Sequence, residues 1–147
     1  MPYDNQYYHG RDPGSIARFH HGVFSILARA LPEDGRYLDL GAGTGLLASW
    51  LASQKKADVT AVEVSEFACA TIRQRYPNVK TVVADLDREL PVDGPFDVVT
   101  MIHCLEHIRD PAGILRRIRA VLAPTGVFIC VVPNCGPTLV RAMGHPK

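Results

Sequence analysis

The chain has 147 residues, 47% of them hydrophobic and 21% charged, and its formal net charge is +1 at pH 7. This length predicts one domain, residues 1–147, with one sizeable core. The balanced charge gives no reason to expect nucleic acid or a membrane surface as a partner. The longest apolar run, residues 127–132, is too short to span a bilayer. The four cysteines have no CxxC spacing, so buried free thiols and a reducing, cytoplasmic location are expected.

The apolar pattern predicts an N-terminal helix over residues 16–30, with Ser15 as its cap. Strands and helices alternate after that point. The predicted strands are residues 36–40, 58–64, 79–84, 96–102 and 127–132. The predicted helices are residues 44–53, 65–76 and 111–122, with Asp110 capping the last, and a short turn or helix covers residues 86–90. The segment APTG is expected to end the last helix.

This alternation determines the predicted fold class. Strands that alternate with helices need crossover connections, so the strands are expected to be parallel. Continuous apolar strands such as VFICVV and FDVVTMI indicate helices on both faces of the sheet. The sequence therefore predicts an α/β fold of Rossmann-like type: a doubly wound, open parallel sheet with strand order 3-2-1-4-5. A ligand would lie at the carboxyl ends of strands one, two and four.

The segment LDLGAGTGLL follows the first strand and has three alternate glycines, Gly41, Gly43 and Gly45. A dinucleotide fingerprint would place its third glycine where this chain has Leu46. Asp39 would repel a pyrophosphate, whereas it would attract the ammonium and sulfonium of S-adenosylmethionine. Glycines would let that ligand approach the backbone. In the alternative interpretation the segment is a tight turn, and Asp39 accepts hydrogen bonds from nearby backbone.

Two further acids follow strand ends. Glu63 can accept hydrogen bonds from both ribose hydroxyls of an adenosine, a feature shared by dinucleotide sites, or it can be a solvated or capping residue. Asp85 can accept from the exocyclic amine of adenine, with the Leu86 amide nearby. Its alternative role is the N-cap of the short helix that follows.

Residues 37–134 resemble the class I S-adenosylmethionine-dependent methyltransferases. The resemblance lies in YLDLGAGTG, in VEVS after strand two, in ADLD after strand three, and in FDVVTMIHCLEHI and LRRIRAVLAPTGVFICVVPN around strands four and five. The chain most resembles the subgroup of ubiquinone-biosynthesis-like small-molecule methyltransferases, in which LEH after strand four is frequent. The resemblance implies S-adenosylmethionine as cofactor, with contacts from Asp39, Gly41, Gly43, Gly45, Glu63, Val64, Asp85, Leu86 and His103.

Methyl transfer from a sulfonium is an in-line displacement, so the protein mainly aligns the acceptor and excludes water. No metal is needed, and the sequence shows no convincing metal cluster. We expect a small-molecule acceptor, with oxygen slightly preferred. His107 is the candidate catalytic base, because imidazole titrates near neutral pH and its loop follows strand four. In the alternative interpretation His107 only shapes the pocket.

The resemblance implies seven strands, and the segment after strand five has no room for the last two. A domain without the C-terminal strand hairpin is therefore expected, and its uncovered strand-five edge predicts self-association. Two other functions remain open at this point. One is an NAD-type oxidoreductase with the same architecture, and the other is a non-catalytic module that binds S-adenosylmethionine.

Overall fold

The computed structural model describes Phe24, Leu27, Arg29 and residues 31–133. Its strands are β1 (Asp34–Leu40), β2 (Lys56–Glu63), β3 (Lys80–Val83), β4 (Phe96–Ile102) and β5 (Leu122–Val131). Its α-helices over residues 31–133 are α1 (Leu46–Gln54), α2 (Glu66–Arg75) and α3 (Pro111–Val121), and a 3-10 turn covers Leu105–His107. Most of the predicted N-terminal helix lies outside the described residues, although Phe24, Leu27 and Arg29 are helical.

The strands form a five-stranded sheet in the order β3-β2-β1-β4-β5, and every neighbouring pair is parallel. The predicted topology is therefore confirmed. β2 and β3 lie on one side of β1, and β4 and β5 lie on the other. The carboxyl ends of β2, β1 and β4 are therefore neighbours at one edge of the sheet. In this register Leu40 lies opposite Val62 on one side and Met101 on the other. A crevice at such a switch point is where open parallel sheets bind ligands.

Successive apolar side chains of β1 point to opposite faces of the sheet and contribute to a core on each face. Tyr37 belongs to the cluster that contains Leu51 of α1 and Ile72 of α2. Leu38 belongs to the opposite cluster, which contains Ile114 of α3. Successive strand residues point to opposite faces, so Asp39 lies on the same face as Tyr37, toward α1 and α2. No helix among residues 31–133 is long and apolar enough to cross a membrane.

Two helix starts agree with the sequence, which predicted a helix from residue 65 and a cap at Asp110. The Ser65 side chain accepts a hydrogen bond of 3.3 Å from the Ala68 amide at the start of α2. The Asp110 side chain accepts a hydrogen bond of 2.9 Å from the Gly113 amide at the start of α3, where proline is the first helical residue. Each cap satisfies an amide that the helix itself cannot pair.

The largest difference from the predicted elements lies at the end of α3. The sequence predicted a helix to residue 122, a turn at APTG and a strand from residue 127. In the structure α3 ends at Val121 and β5 begins at Leu122. The register passes from Phe96 opposite Leu122 to Val98 opposite Val127, so residues 123–126 form a bulge within β5. This segment contains a proline, which has no amide hydrogen to give to the ladder.

Candidate cofactor site

The glycine turn after β1 has a left-handed backbone at three residues: φ is 71° at Gly41, 55° at Gly43 and 84° at Gly45. A Cβ on Gly41 would collide with the Cys104 side chain in the loop after β4. A Cβ on Gly45 would lie 2.7 Å from Cγ1 of Ile72 in α2. Glycine is therefore required at these two positions by backbone conformation and by packing within the protein. The sequence analysis had left open the approach of a ligand and a tight turn as reasons for these glycines, and the backbone conformation supports the turn.

Glu63 ends β2 and connects the glycine turn to α2. Its side chain accepts a hydrogen bond of 2.9 Å from the Gly43 amide on Oε2 and one of 3.0 Å from the Ser65 amide on Oε1. The residue is only 6% exposed, so the alternative of a solvated acid is wrong. Each carboxylate oxygen has a second lone pair. The fixed carboxylate can therefore still accept from a ligand hydroxyl.

Asp39 is a buried acid in the middle of this arrangement. It is 2% exposed, and its Oδ1 accepts a hydrogen bond of 2.8 Å from the Thr100 hydroxyl. Its Oδ2 is buried and has no hydrogen-bond partner within the described part of the chain. The pKa of Asp39 is raised from 3.8 to about 7, chiefly by burial and less by the nearby Glu63 charge, while the Thr100 hydroxyl and the Ala48 backbone act to lower it. A buried oxygen without a partner is costly unless a ligand donor reaches it.

The loop after β3 holds the next two predicted residues. Oδ1 of Asp85 accepts a hydrogen bond of 3.0 Å from the Asp87 amide, and its Oδ2 lies 3.4 Å from Nε of Arg88. The side chain of Asp85 thus supports a local turn at residues 86–88, where a short helix was the other expectation. The side chain is 45% exposed, which leaves it accessible to a ligand. Leu86 packs its side chain into the core at 6% exposure.

The loop after β4 lies against the glycine turn through Cys104. His103 has a φ of 52°, its amide donates to the Val131 carbonyl at 2.8 Å, and its Nδ1 lies 3.7 Å from Oε1 of Glu106. His107 is exposed on the 3-10 turn, and its amide donates to the Cys104 carbonyl at 3.0 Å. Burial and the surrounding acids raise the pKa of the Cys104 thiol to about 12. Three described cysteines are free thiols, but only Cys69 is buried as expected, since Cys104 is half-buried and Cys130 is exposed.

The structure therefore brings together the predicted residues at the ends of β1, β2 and β4. Half-buried Val64 lies between Glu63 and the cap of α2. Asp85 and Leu86 lie farther along the same edge of the sheet, after β3. No group of three or more His, Cys, Asp or Glu side chains in residues 31–133 is arranged to hold a metal ion.

Sequence reasoning missed Thr100, although a signal was present. It is a polar residue inside the apolar run FDVVTMI, and it lies opposite Asp39 in the register of β1 and β4. It also missed Arg117, whose guanidinium donates to the Leu86 carbonyl at 2.9 Å. The basic residues Arg116, Arg117 and Arg119 of α3 have the pattern of a solvated helix face, but Arg117 is partly buried and makes this contact.

Comparisons with known proteins agree with this geometry. The family model for the methyltransferase domain matches residues 14–144. A Mycobacterium tuberculosis protein named "Probable S-adenosylmethionine-dependent methyltransferase" is 36% identical over 119 residues, which are 80% of this chain and 42% of that protein. Ubiquinone biosynthesis O-methyltransferase of Pseudomonas aeruginosa is 34% identical over 105 residues, 66% of this chain and 44% of that protein. A solved Pyrococcus horikoshii structure has the same fold, with a TM-score of 0.78, 24% identity, and coverage of 100% of this chain and 70% of that one.

The chain belongs to the methyltransferase domain family, within the class I S-adenosylmethionine-dependent methyltransferases that the sequence indicated. The Rossmann-like fold and S-adenosylmethionine as the cofactor are confirmed with this assignment. The chain spans less than half the length of the two curated relatives, 42% and 44%.

Proposed function

We propose that the protein transfers the methyl group of S-adenosylmethionine to an oxygen atom of a small molecule in the cytoplasm. Family membership supports the methyl transfer. The choice of oxygen is supported by similarity to a relative named as an O-methyltransferase. The observation that carries the proposal is the buried Oδ2 of Asp39, which has no hydrogen-bond partner in the described residues and lies beside the glycine turn.

The residues present fit the cofactor chemically. A carboxylate oxygen that is buried without a donor complements an ammonium group, so Asp39 would hold the amino group of the methionyl end. Glu63 would accept from the ribose hydroxyls, because its carboxylate is already fixed by two backbone amides. The Asp85 side chain and the Leu86 amide would hold adenine. The glycine turn, Val64 and His103 would line the space between these ends.

The cofactor supplies an electrophilic methyl group when it is bound. In the proposed reaction a carbon–oxygen bond to the acceptor would form as the sulfur–carbon bond breaks, and S-adenosylhomocysteine would be the second product. The acceptor hydroxyl also loses a proton, which an imidazole nitrogen of His107 would accept. Its exposed place on the turn Leu105–His107 leaves this imidazole accessible to an acceptor. The remaining task of the protein is alignment and exclusion of water.

An assay of labelled methyl transfer against a panel of phenols, carboxylic acids and amines tests this proposal. We expect methylated phenol or carboxylate products. The rate with phenols, whose hydroxyl must lose a proton, should fall about a hundredfold or more in His107→Gln, whereas carboxylates, already ionised, need no base. Exclusive methylation of amines would contradict the choice of oxygen. Full activity in His107→Gln would show that His107 is not the base and only shapes the pocket.

The non-catalytic module is the second candidate function, supported by the contrast between Asp39 and Glu63, which are buried at the proposed cofactor site, and His107, which is exposed on the 3-10 turn. It predicts that the cofactor binds but no acceptor in the panel is methylated.

A further inference from the structure

A guanidinium group on α3 holds the loop after β3. Nη1 of Arg117 donates to the Leu86 carbonyl at 2.9 Å, and Nη2 lies 3.4 Å from the Asp87 carbonyl oxygen. The side chain is partly buried between these two segments. A planar guanidinium can reach two carbonyl oxygens at once, which an ammonium group does less well.

The peptide group between Leu86 and Asp87 is thereby fixed at both ends. Its carbonyl accepts from Arg117, and its amide donates to Oδ1 of Asp85 at 3.0 Å. A peptide group is planar and rigid, so a guanidinium that fixes the carbonyl also fixes the direction of the amide. The amide in turn fixes one oxygen of the Asp85 carboxylate.

Asp87 fastens the same loop to the segment that precedes α3. Its Oδ1 accepts a hydrogen bond of 2.7 Å from the Arg109 amide. The Arg117 side chain on α3 and the Arg109 amide before α3 therefore hold this loop from two directions. Within residues 31–133 the Arg117 contact is the one that acts on the peptide bonded to Oδ1 of Asp85, while Arg88 lies 3.4 Å from Oδ2.

We propose that Arg117 is a positioning residue that sets the orientation of the Asp85 carboxylate and, through it, the preference of the site for adenine. This inference rests on the proposed function, which places Asp85 and the Leu86 amide at the adenine ring. A correctly directed carboxylate accepts a hydrogen bond from a 6-amino group and disfavours a 6-oxo group, which has no donor there. Loss of Arg117 should therefore reduce the discrimination between the two bases.

The test compares the binding of S-adenosylhomocysteine with that of its 6-oxo analogue, S-inosylhomocysteine, by titration calorimetry. Arg117→Met keeps an apolar stem and removes every donor, while Arg117→Lys keeps the charge but can reach fewer acceptors. Arg116→Met is the matched control, because the Arg116 side chain is 74% exposed on the same helix. Thermal unfolding of each variant checks that it folds.

We expect Arg117→Met to bind S-adenosylhomocysteine about tenfold more weakly, as for loss of a charge-assisted hydrogen bond, and the affinity ratio of the two ligands to fall by a similar factor. Arg117→Lys should show a smaller fall in the same ratio, and Arg116→Met none. An unchanged ratio in folded Arg117→Met overturns the inference. If that variant does not fold, an unchanged ratio in Arg117→Lys overturns it. A wild-type chain that binds neither ligand would overturn the proposed function itself, and the inference with it.

Discussion

The Thr100 hydroxyl lies 2.8 Å from Oδ1 of Asp39, across the parallel pair of β1 and β4 that places these two residues opposite each other. Both residues are buried, Thr100 at 0% and Asp39 at 2% exposure. The hydroxyl satisfies one carboxylate oxygen and leaves the other without a partner within the described residues. The strand register therefore prepares one oxygen of Asp39 for a ligand donor.

Replacing Asp39 by Asn should weaken the binding of S-adenosylhomocysteine. The side chain keeps its size and loses the charge that complements an ammonium group. A hydrogen bond of this kind contributes roughly 1.5–3 kcal/mol, so affinity should fall about ten- to hundredfold. Titration calorimetry measures the change, with Asp58→Asn as control, because the Asp58 side chain is 46% exposed and pairs with Lys80. Equal affinity in Asp39→Asn and wild type would show that Asp39 only accepts hydrogen bonds within the protein and does not bind the ligand.

The stability of the ligand-free protein should fall as pH rises from about 4 to about 7. The pKa of Asp39 is raised from 3.8 to about 7 in the folded protein, so in this window the folded chain keeps a proton that the unfolded chain has released. The unfolded state is then favoured by increasing pH. The loss is at most about 4 kcal/mol, from roughly three pH units at 1.36 kcal/mol each.

Urea unfolding of wild type and Asp39→Asn at several pH values isolates this contribution, because all other titrating groups are common to both proteins. We expect the free energy of unfolding to decline more steeply with pH in the wild type. Parallel pH dependences in the two proteins would show that the carboxyl group ionises normally.

Thr100→Val should raise the pKa of Asp39 further, since it removes a hydrogen bond that favours the charged form. The pH midpoint for binding S-adenosylhomocysteine should move upward, and affinity at neutral pH should fall about three- to tenfold. Thr100→Ser keeps the hydroxyl and should bind as the wild type does. A pH midpoint that is the same in Thr100→Val and wild type would mean that the hydroxyl does not act on the carboxylate.

These residues also show how much the sequence could predict. The strands, the helices and the Asp110 cap could be predicted because they depend on local periodicity and on residues a few positions apart, and the strand order followed from the rules for crossover connections. The burial of Asp39 and its contact with Thr100 depend on residues 61 positions apart in the chain, and the contact of Arg117 with Leu86 on residues 31 apart. A pattern of apolar positions carries no information about which side chains meet over such separations.

The edge of β5 should allow two copies of the chain to associate. β5 is the outer strand of the described sheet, and Val127 and Val132 are each 46% exposed. Apolar edges with unpaired backbone groups recruit further strands. Light scattering over a concentration series should show a rising mass that Val127→Lys reduces. Val83→Lys is the control, because Val83 is 37% exposed on β3. A constant monomer mass in the wild type would contradict this expectation.

Direct titration of the wild-type chain with S-adenosylhomocysteine, and separately with NADH, tests the central claim that the glycine turn, Asp39 and Glu63 form a site for S-adenosylmethionine. We expect saturable one-to-one binding of S-adenosylhomocysteine and no heat of binding with NADH. Binding of NADH together with no response to millimolar S-adenosylhomocysteine would contradict the account and favour a nucleotide-dependent oxidoreductase.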